Sequence, residues 1–157
     1  MIRILIIGIG NSLQGDDGLG WRVARELSSE LVRDNIQILP THQLTPEMSE
    51  MASHAERVLF IDAARDGKPG TLSCVPLAPS TQSGRHSHVL SPAALLKLAQ
   101  ELYQRCPPAY LLTMAGESFG TGDTLSPVVS AALPLLKAQI LRLIDLASKG
   151  ESVTTDP

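Results

Sequence analysis

The stretch that decides the fold of this chain is ILIIGIGNSLQGDDGLG, residues 4–20. Its first four residues are all apolar, which is typical of a buried β-strand. Glycines then recur through residues 8–20, and a helical pattern begins where they end. Open α/β sheets hold their ligands at turns of this kind, at the carboxyl ends of strands. The stretch therefore predicts an α/β fold with a ligand site directly after its first strand.

The same turn carries two adjacent carboxylates, Asp16 and Asp17, in place of a further glycine. Carboxylates attract cations and repel phosphates, so the turn favours a metal or acid chemistry. Capping of the helix that follows accounts for Asp16, since a carboxylate near the positive end of a helix is stabilising. Capping does not account for a second carboxylate, and we therefore assign a functional role to Asp17.

The composition predicts one soluble globular domain, residues 1–147, followed by a polar, flexible tail at 148–157. Of the 157 residues, 43% are hydrophobic and 18% are charged, and the net charge is −3. Without a basic run, nucleic acids and anionic membranes are not expected partners. The two cysteines lack metal-ligand spacing, no cleavable signal is evident and no apolar run approaches a membrane span, so we expect a cytoplasmic protein.

Hydrophobic periodicity predicts the order β-α-β-α-β-β-α-β-α and hence a three-layer α/β/α sandwich with a five-stranded, mostly parallel, twisted sheet. Hydroxyl–proline pairs at Thr45-Pro46, Ser91-Pro92 and Ser126-Pro127 predict three helix starts. The fourth strand is expected to be antiparallel, because its connection to the third is too short for a parallel crossover. The predicted strands are 2–8, 36–39, 58–61, 71–77 and 110–114, and the predicted helices are 17–33, 46–54, 92–104 and 127–147.

A second acid, Asp62, ends the apolar strand Val58-Leu59-Phe60-Ile61. If this strand lies beside the first, Asp62 and Asp17 face one crevice, and the two carboxylates then need a cation between them or one must hold a proton. His88, just before the predicted helix start at Ser91, is a natural third ligand because neutral imidazole suits zinc, nickel and copper.

The remaining polar candidates have weaker assignments. If their segment is extended, His86 points to the same side as His88, and His54 is expected to be a solvated surface residue. His42 either lines the cleft or packs against it. Glu117 either enters the crevice or lies at the surface.

Two other classes of protein are disfavoured. A dinucleotide-binding turn would have a third glycine where this chain has Leu13, and the second strand lacks the acid that binds a ribose hydroxyl. No G-x-S-x-G sequence is present, which removes support for a serine hydrolase. We therefore expect no nucleotide cofactor.

Four sequence blocks together resemble the [NiFe]-hydrogenase maturation endopeptidases. The blocks are Gly8–Gly20, Phe60-Ile61-Asp62-Ala63, His88-Val89-Leu90-Ser91-Pro92 and Leu125-Ser126-Pro127. The resemblance implies a mixed sheet in the order 2-1-3-5-4 with strand 4 antiparallel. The His42-Gln43-Leu44-Thr45-Pro46-Glu47 stretch is similar to the branch that serves bidirectional, NAD(P)-linked hydrogenases, and it makes His42 a candidate contact or extra ligand.

The resemblance also implies an activity, an aspartyl-type or metal-dependent endopeptidase that removes the C-terminal extension of the hydrogenase large-subunit precursor after nickel insertion. It implies that Asp17, Asp62 and His88 bind nickel supplied by that precursor and form the catalytic site. Whether the metal only tethers the substrate or also activates water stays open. The alternative is a non-proteolytic, nickel-sensing accessory module of hydrogenase assembly.

Overall fold

The structure, a computed structural model, describes residues 2–81 and 89–150. The order of the strands and helices is as predicted, except that a single 3-10 turn, Gly15–Gly18, precedes the first helix. The strands are β1 (Ile4–Ile9), β2 (Ile36–Thr41), β3 (Arg57–Ala64), β4 (Leu72–Leu77) and β5 (Ala109–Ala115). The helices are α1 (Leu19–Glu30), α2 (Met48–His54), α3 (Pro92–Tyr103) and α4 (Pro127–Ser148).

The described strands form one mixed sheet in the order β2-β1-β3-β5-β4. β1 is parallel to both of its neighbours, β3 is parallel to β5, and β4 is antiparallel to β5. The predicted fold class, strand order and antiparallel strand are therefore confirmed. This arrangement brings the carboxyl ends of β1 and β3 together at one edge of the sheet.

The strands alternate their side chains between two cores, one on each face of the sheet. In β1, Ile4 and Ile6 pack with residues of α1 and α4, whereas Leu5 and Ile7 pack with residues of α2 and α3. All four are almost fully buried. An uninterrupted apolar strand is what a sheet covered on both faces requires, which explains the sequence of this segment.

Two glycines allow α1 to lie unusually close to the strands that it covers. A methyl group at Gly20 would collide with the carbonyl oxygens of Ile9 and Ile61, and one at Gly8 would collide with the carbonyl oxygen of Gly20. Close packing of the first helix therefore explains part of the glycine pattern in the opening stretch.

The hydroxyl–proline prediction of the helix starts is confirmed in full only at Ser91-Pro92. The Ser91 side chain accepts a hydrogen bond from the Ala94 N–H at 3.1 Å and caps α3 as predicted. α2 begins at Met48, two residues later than predicted, after a turn. Ser126 occupies the N-cap position of α4 without a capping side-chain bond, since its hydroxyl has another partner, described below.

One helix corrects the expectation that no segment has the length and composition of a membrane span. Among the described residues, one helix meets both criteria. This helix, α4, has 22 residues, and its most apolar window has a mean hydropathy of 1.4. Helices that cover a sheet in a globular domain meet the same criteria, and Ile140, Leu143 and Ile144 of α4 are buried in the core. The finding is thus weak support for a membrane span.

Candidate functional site

The two carboxylates assigned from the sequence, Asp17 and Asp62, line one cavity of about 580 Å³. β1 and β3 are adjacent and parallel, with Gly8 opposite Ile61. The turn after β1 carries Asp17, and Asp62 is the residue that follows Ile61. Both side chains therefore arrive at the same edge of the sheet, which is the juxtaposition that the sequence predicts.

Asp17 is held by the 3-10 turn between β1 and α1. Its Oδ2 accepts a hydrogen bond from the Asn11 N–H at 3.1 Å, and the side chain is half-buried. Gly15 starts this turn with a φ of +56°, a left-handed conformation that favours glycine. The local sequence thus orients the carboxylate toward the cavity.

Asp62 has a strongly perturbed acidity. Burial raises the pKa of its carboxyl to about 7, and the negative charge of Asp17 adds to the rise. A hydrogen bond from the Ala63 N–H at 2.8 Å and the charge of Arg65 act in the opposite direction. Near neutral pH, Asp62 therefore exchanges a proton readily, and a cation bound beside it would favour the charged form.

The predicted third ligand, His88, lies outside the described residues, as does His86. The next two residues, Val89 and Leu90, line the cavity. The two residues that follow His88 in the sequence therefore lie at the cavity wall.

Of the other polar candidates that the structure describes, only His42 lines the cavity. His42 lines the cavity, and its ring meets the ring of Trp21 edge to face with centroids 6.3 Å apart. His54 is exposed on α2, 4.0 Å from Glu50. Glu117 is exposed and does not line the cavity.

Asp16 corrects the sequence interpretation, because it does not cap α1. The N-cap of α1 is Gly18, without a capping side-chain bond. The Asp16 carboxylate is fully buried and accepts hydrogen bonds from the N–H groups of Glu117 and Ser118, and from both the N–H and the hydroxyl of Ser126. Burial alone would raise its pKa, but these hydrogen bonds hold the pKa below the ordinary value.

Sequence reasoning missed Arg65, which also lines the cavity. Its guanidinium carbon lies over the Phe119 ring, 4.4 Å from the centroid. The available signal was its position directly after β3, three residues beyond Asp62. Phe119 comes from a loop more than fifty residues away, and no local pattern pairs the two.

The described side chains do not make a complete metal site by themselves. Within residues 2–81 and 89–150, no group of three or more histidine, cysteine, aspartate or glutamate side chains is arranged to hold a metal ion. The described part of the cavity contributes three carboxylates, those of Asp17, Asp62 and Asp66, and the His42 imidazole.

Known proteins resemble this chain in both sequence and fold, although no protein-family model matches it. The hydrogenase expression/formation protein HupD of Bradyrhizobium diazoefficiens is 29% identical over 150 residues, which cover 92% of this chain and 76% of HupD. The Escherichia coli hydrogenase maturating endopeptidase HybD shares the fold with a TM-score of 0.77 and 23% identity, over 95% of this chain and 94% of HybD.

A further solved structure is the hydrogenase 2 maturation peptidase of a Thaumarchaeota archaeon. It is 28% identical with a TM-score of 0.68, and the match covers 92% of this chain and 99% of that peptidase. The chain thus resembles the hydrogenase maturation endopeptidases in sequence and fold over nearly its whole length, which confirms the predicted resemblance and, with it, the predicted class of enzyme, a hydrolase that acts on a peptide bond.

Proposed function

We propose that this protein is an endopeptidase that removes the C-terminal extension of a [NiFe]-hydrogenase large-subunit precursor once nickel has been inserted. The observation that carries the proposal is the convergence of Asp17 and Asp62 on one cavity at the carboxyl ends of neighbouring parallel strands. The names of the similar proteins supply the substrate class, hydrogenases.

The chemistry of the cavity suits a cation that arrives with the substrate. Asp17 and Asp62 repel each other, and part of the raised pKa of Asp62 comes from this repulsion. A divalent ion placed between them would relieve it. Two carboxylate oxygens and the imidazole nitrogen of His88 would bind nickel and leave coordination positions for groups of the precursor.

Two roles for these residues are compatible with such an arrangement. In the first, Asp17, Asp62 and His88 contact nickel already seated in the precursor, so that only a metal-loaded precursor is held with its scissile bond in the cavity. In the second, Asp62 additionally accepts a proton from the attacking water, a task that needs the charged carboxylate, which a bound cation favours. We propose the first as the minimal function and the second as an addition to it.

Intact mass spectrometry of nickel-loaded and nickel-free precursor, each incubated with this protein, tests the proposal. We expect a defined C-terminal peptide to be lost from the nickel-loaded precursor alone, and we expect no cleavage by Asp17→Asn. Binding of the nickel-loaded precursor without cleavage would establish the accessory module instead. Cleavage of both precursor forms at equal rates would remove nickel from the proposal.

We further propose that the protein acts in the cytoplasm. Cys74 and Cys106 are both free thiols, and burial raises the pKa of each. Unreactive, unpaired cysteines agree with a reducing compartment.

A further inference from the structure

Arg65 contributes the one permanently cationic side chain among the described residues that line the cavity. The Arg65 side chain is exposed, whereas Asp62 is half-buried. The described lining of the cavity therefore combines three carboxylates, Asp17, Asp62 and the exposed Asp66, with a single cation, Arg65.

The position of Arg65 depends on an aromatic platform. Its guanidinium lies over the Phe119 ring, a contact in which the planar group is stabilised by the ring face while its N–H edge stays available to a ligand. A surface arginine without such a platform samples many rotamers. Stacking reduces that freedom before any ligand arrives.

The platform is itself held by the protein interior. The N–H groups of Glu117 and Ser118, directly before Phe119, donate to the buried Asp16 carboxylate at 2.8 and 3.0 Å. A side chain at Gly116 would collide with the Phe119 ring, so glycine at this position leaves room for it. A chain of contacts therefore runs from the buried Asp16, through the loop backbone and Phe119, to Arg65.

We propose that Arg65 is a specificity-determining residue that binds a carboxylate of the peptide substrate; this inference rests on the proposed function and deepens it. A guanidinium presents paired N–H donors that match the two oxygens of a carboxylate. Because the group is already held in place, less conformational freedom is lost on binding. A precursor whose metal contacts Asp17 and Asp62 and whose carboxylate contacts Arg65 fits the cavity in one direction only.

Steady-state kinetics of precursor cleavage tests the role of Arg65. We expect Arg65→Ala to raise KM about tenfold with kcat within about twofold, as loss of a charge-assisted contact predicts. Arg65→Lys should recover part of the loss, and Phe119→Leu, which keeps an apolar side chain but removes the ring, should raise KM by a smaller factor. Lys68→Ala is the matched control, since Lys68 is an exposed cation of the same connection that does not line the cavity.

Substrate variants identify the carboxylate. In one arm, each aspartate or glutamate flanking the scissile bond is replaced by its amide; in the other, a Gly-Ser tail moves the C-terminal carboxylate away. The KM ratio between Arg65→Ala and the unchanged enzyme should fall to about one for the single precursor variant that lacks the partner. A fall in the ratio for an amide variant identifies a side-chain carboxylate as the partner of Arg65, and a fall for the Gly-Ser variant identifies the C-terminal carboxylate. Either result supports the proposal.

Two results would overturn the inference while leaving the proposed function intact. One is normal cleavage by Arg65→Ala with an unchanged KM. The other is a raised KM that persists, undiminished, for every precursor variant. Failure of the unsubstituted enzyme to cut nickel-loaded precursor would instead count against the proposed function.

Discussion

The hydroxyl of Ser126 donates a hydrogen bond to Oδ2 of Asp16 at 2.7 Å, across 110 positions of the sequence. The Ser126 N–H donates to the other carboxylate oxygen, Oδ1, at 2.8 Å. A buried carboxylate in the turn after β1 thus fixes the N-cap residue of α4. Since Asp16 precedes Asp17 directly, the same bonds also hold the turn that orients the site.

Ser126→Ala should destabilise the fold through the loss of one hydrogen bond to a buried charge. We expect the free energy of unfolding to fall by about 1.5–3 kcal/mol, the range for hydrogen bonds to charged groups. Urea denaturation measures the change. Ser130→Ala, one turn along α4 at an exposed position, is the control and should stay within about 0.5 kcal/mol. Equal values for the two variants would contradict the role of this bond.

Asp16→Asn and Asp17→Asn should behave in opposite ways, although the residues are adjacent. Asparagine at position 16 keeps only one acceptor oxygen and no charge, so at least one of the four donors faces an NH2 group; we expect the free energy of unfolding to fall by about 3 kcal/mol or more. At position 17, the amide oxygen can still accept from the Asn11 N–H. Asp17→Asn should therefore keep its thermal stability and lose cleavage.

Thermal melts and the precursor cleavage assay, performed on both variants, check this pair. A destabilised Asp17→Asn would mean that its carboxylate serves the fold rather than the site. A fully stable Asp16→Asn would mean that the bonds to Glu117, Ser118 and Ser126 contribute little.

Features set by residues close together in the sequence could be predicted, whereas contacts between residues far apart in the sequence could not. The convergence of Asp17 and Asp62 was predictable, since each follows an apolar strand and parallel neighbours end at one edge. The true partners of Asp16 lie 101 to 110 positions away, and local reasoning assigned it to the nearest helix instead. The hydroxyl of Ser126 matched a capping pattern for the same reason, although its tertiary partner is Asp16.

Asp62 should make the stability of the protein depend on pH. With the pKa raised from 3.8 to about 7 in the folded state, the folded protein binds the proton more tightly than the unfolded chain. Its stability therefore declines as the pH rises between these values, and the penalty is complete above about pH 7. Asp62→Asn lacks this carboxylate and should be more stable than the unsubstituted protein at pH 8.

Urea denaturation at pH 4, 6 and 8, in the presence of a chelator, measures this effect. We expect an advantage for Asp62→Asn of at least about 1 kcal/mol at pH 8, roughly 2–4 °C in Tm, that shrinks toward pH 4. Asp123→Asn, at an exposed carboxylate that does not line the cavity, serves as the comparison. An Asp62→Asn advantage that is independent of pH would show that packing, not ionisation, is responsible.

Substitution of each histidine by alanine should separate the histidines by their roles in cleavage. His54 is exposed beside Glu50 on α2, so His54→Ala should leave cleavage unchanged. His42 lines the cavity against Trp21, and we expect His42→Ala to raise KM several-fold with kcat retained, because it loses a wall contact rather than a reacting group. His88→Ala should abolish cleavage with little change in thermal stability, as expected for loss of a nickel ligand. Cleavage rates with nickel-loaded precursor decide the order, and an active His88→Ala beside an inactive His42→Ala would transfer the ligand role to His42.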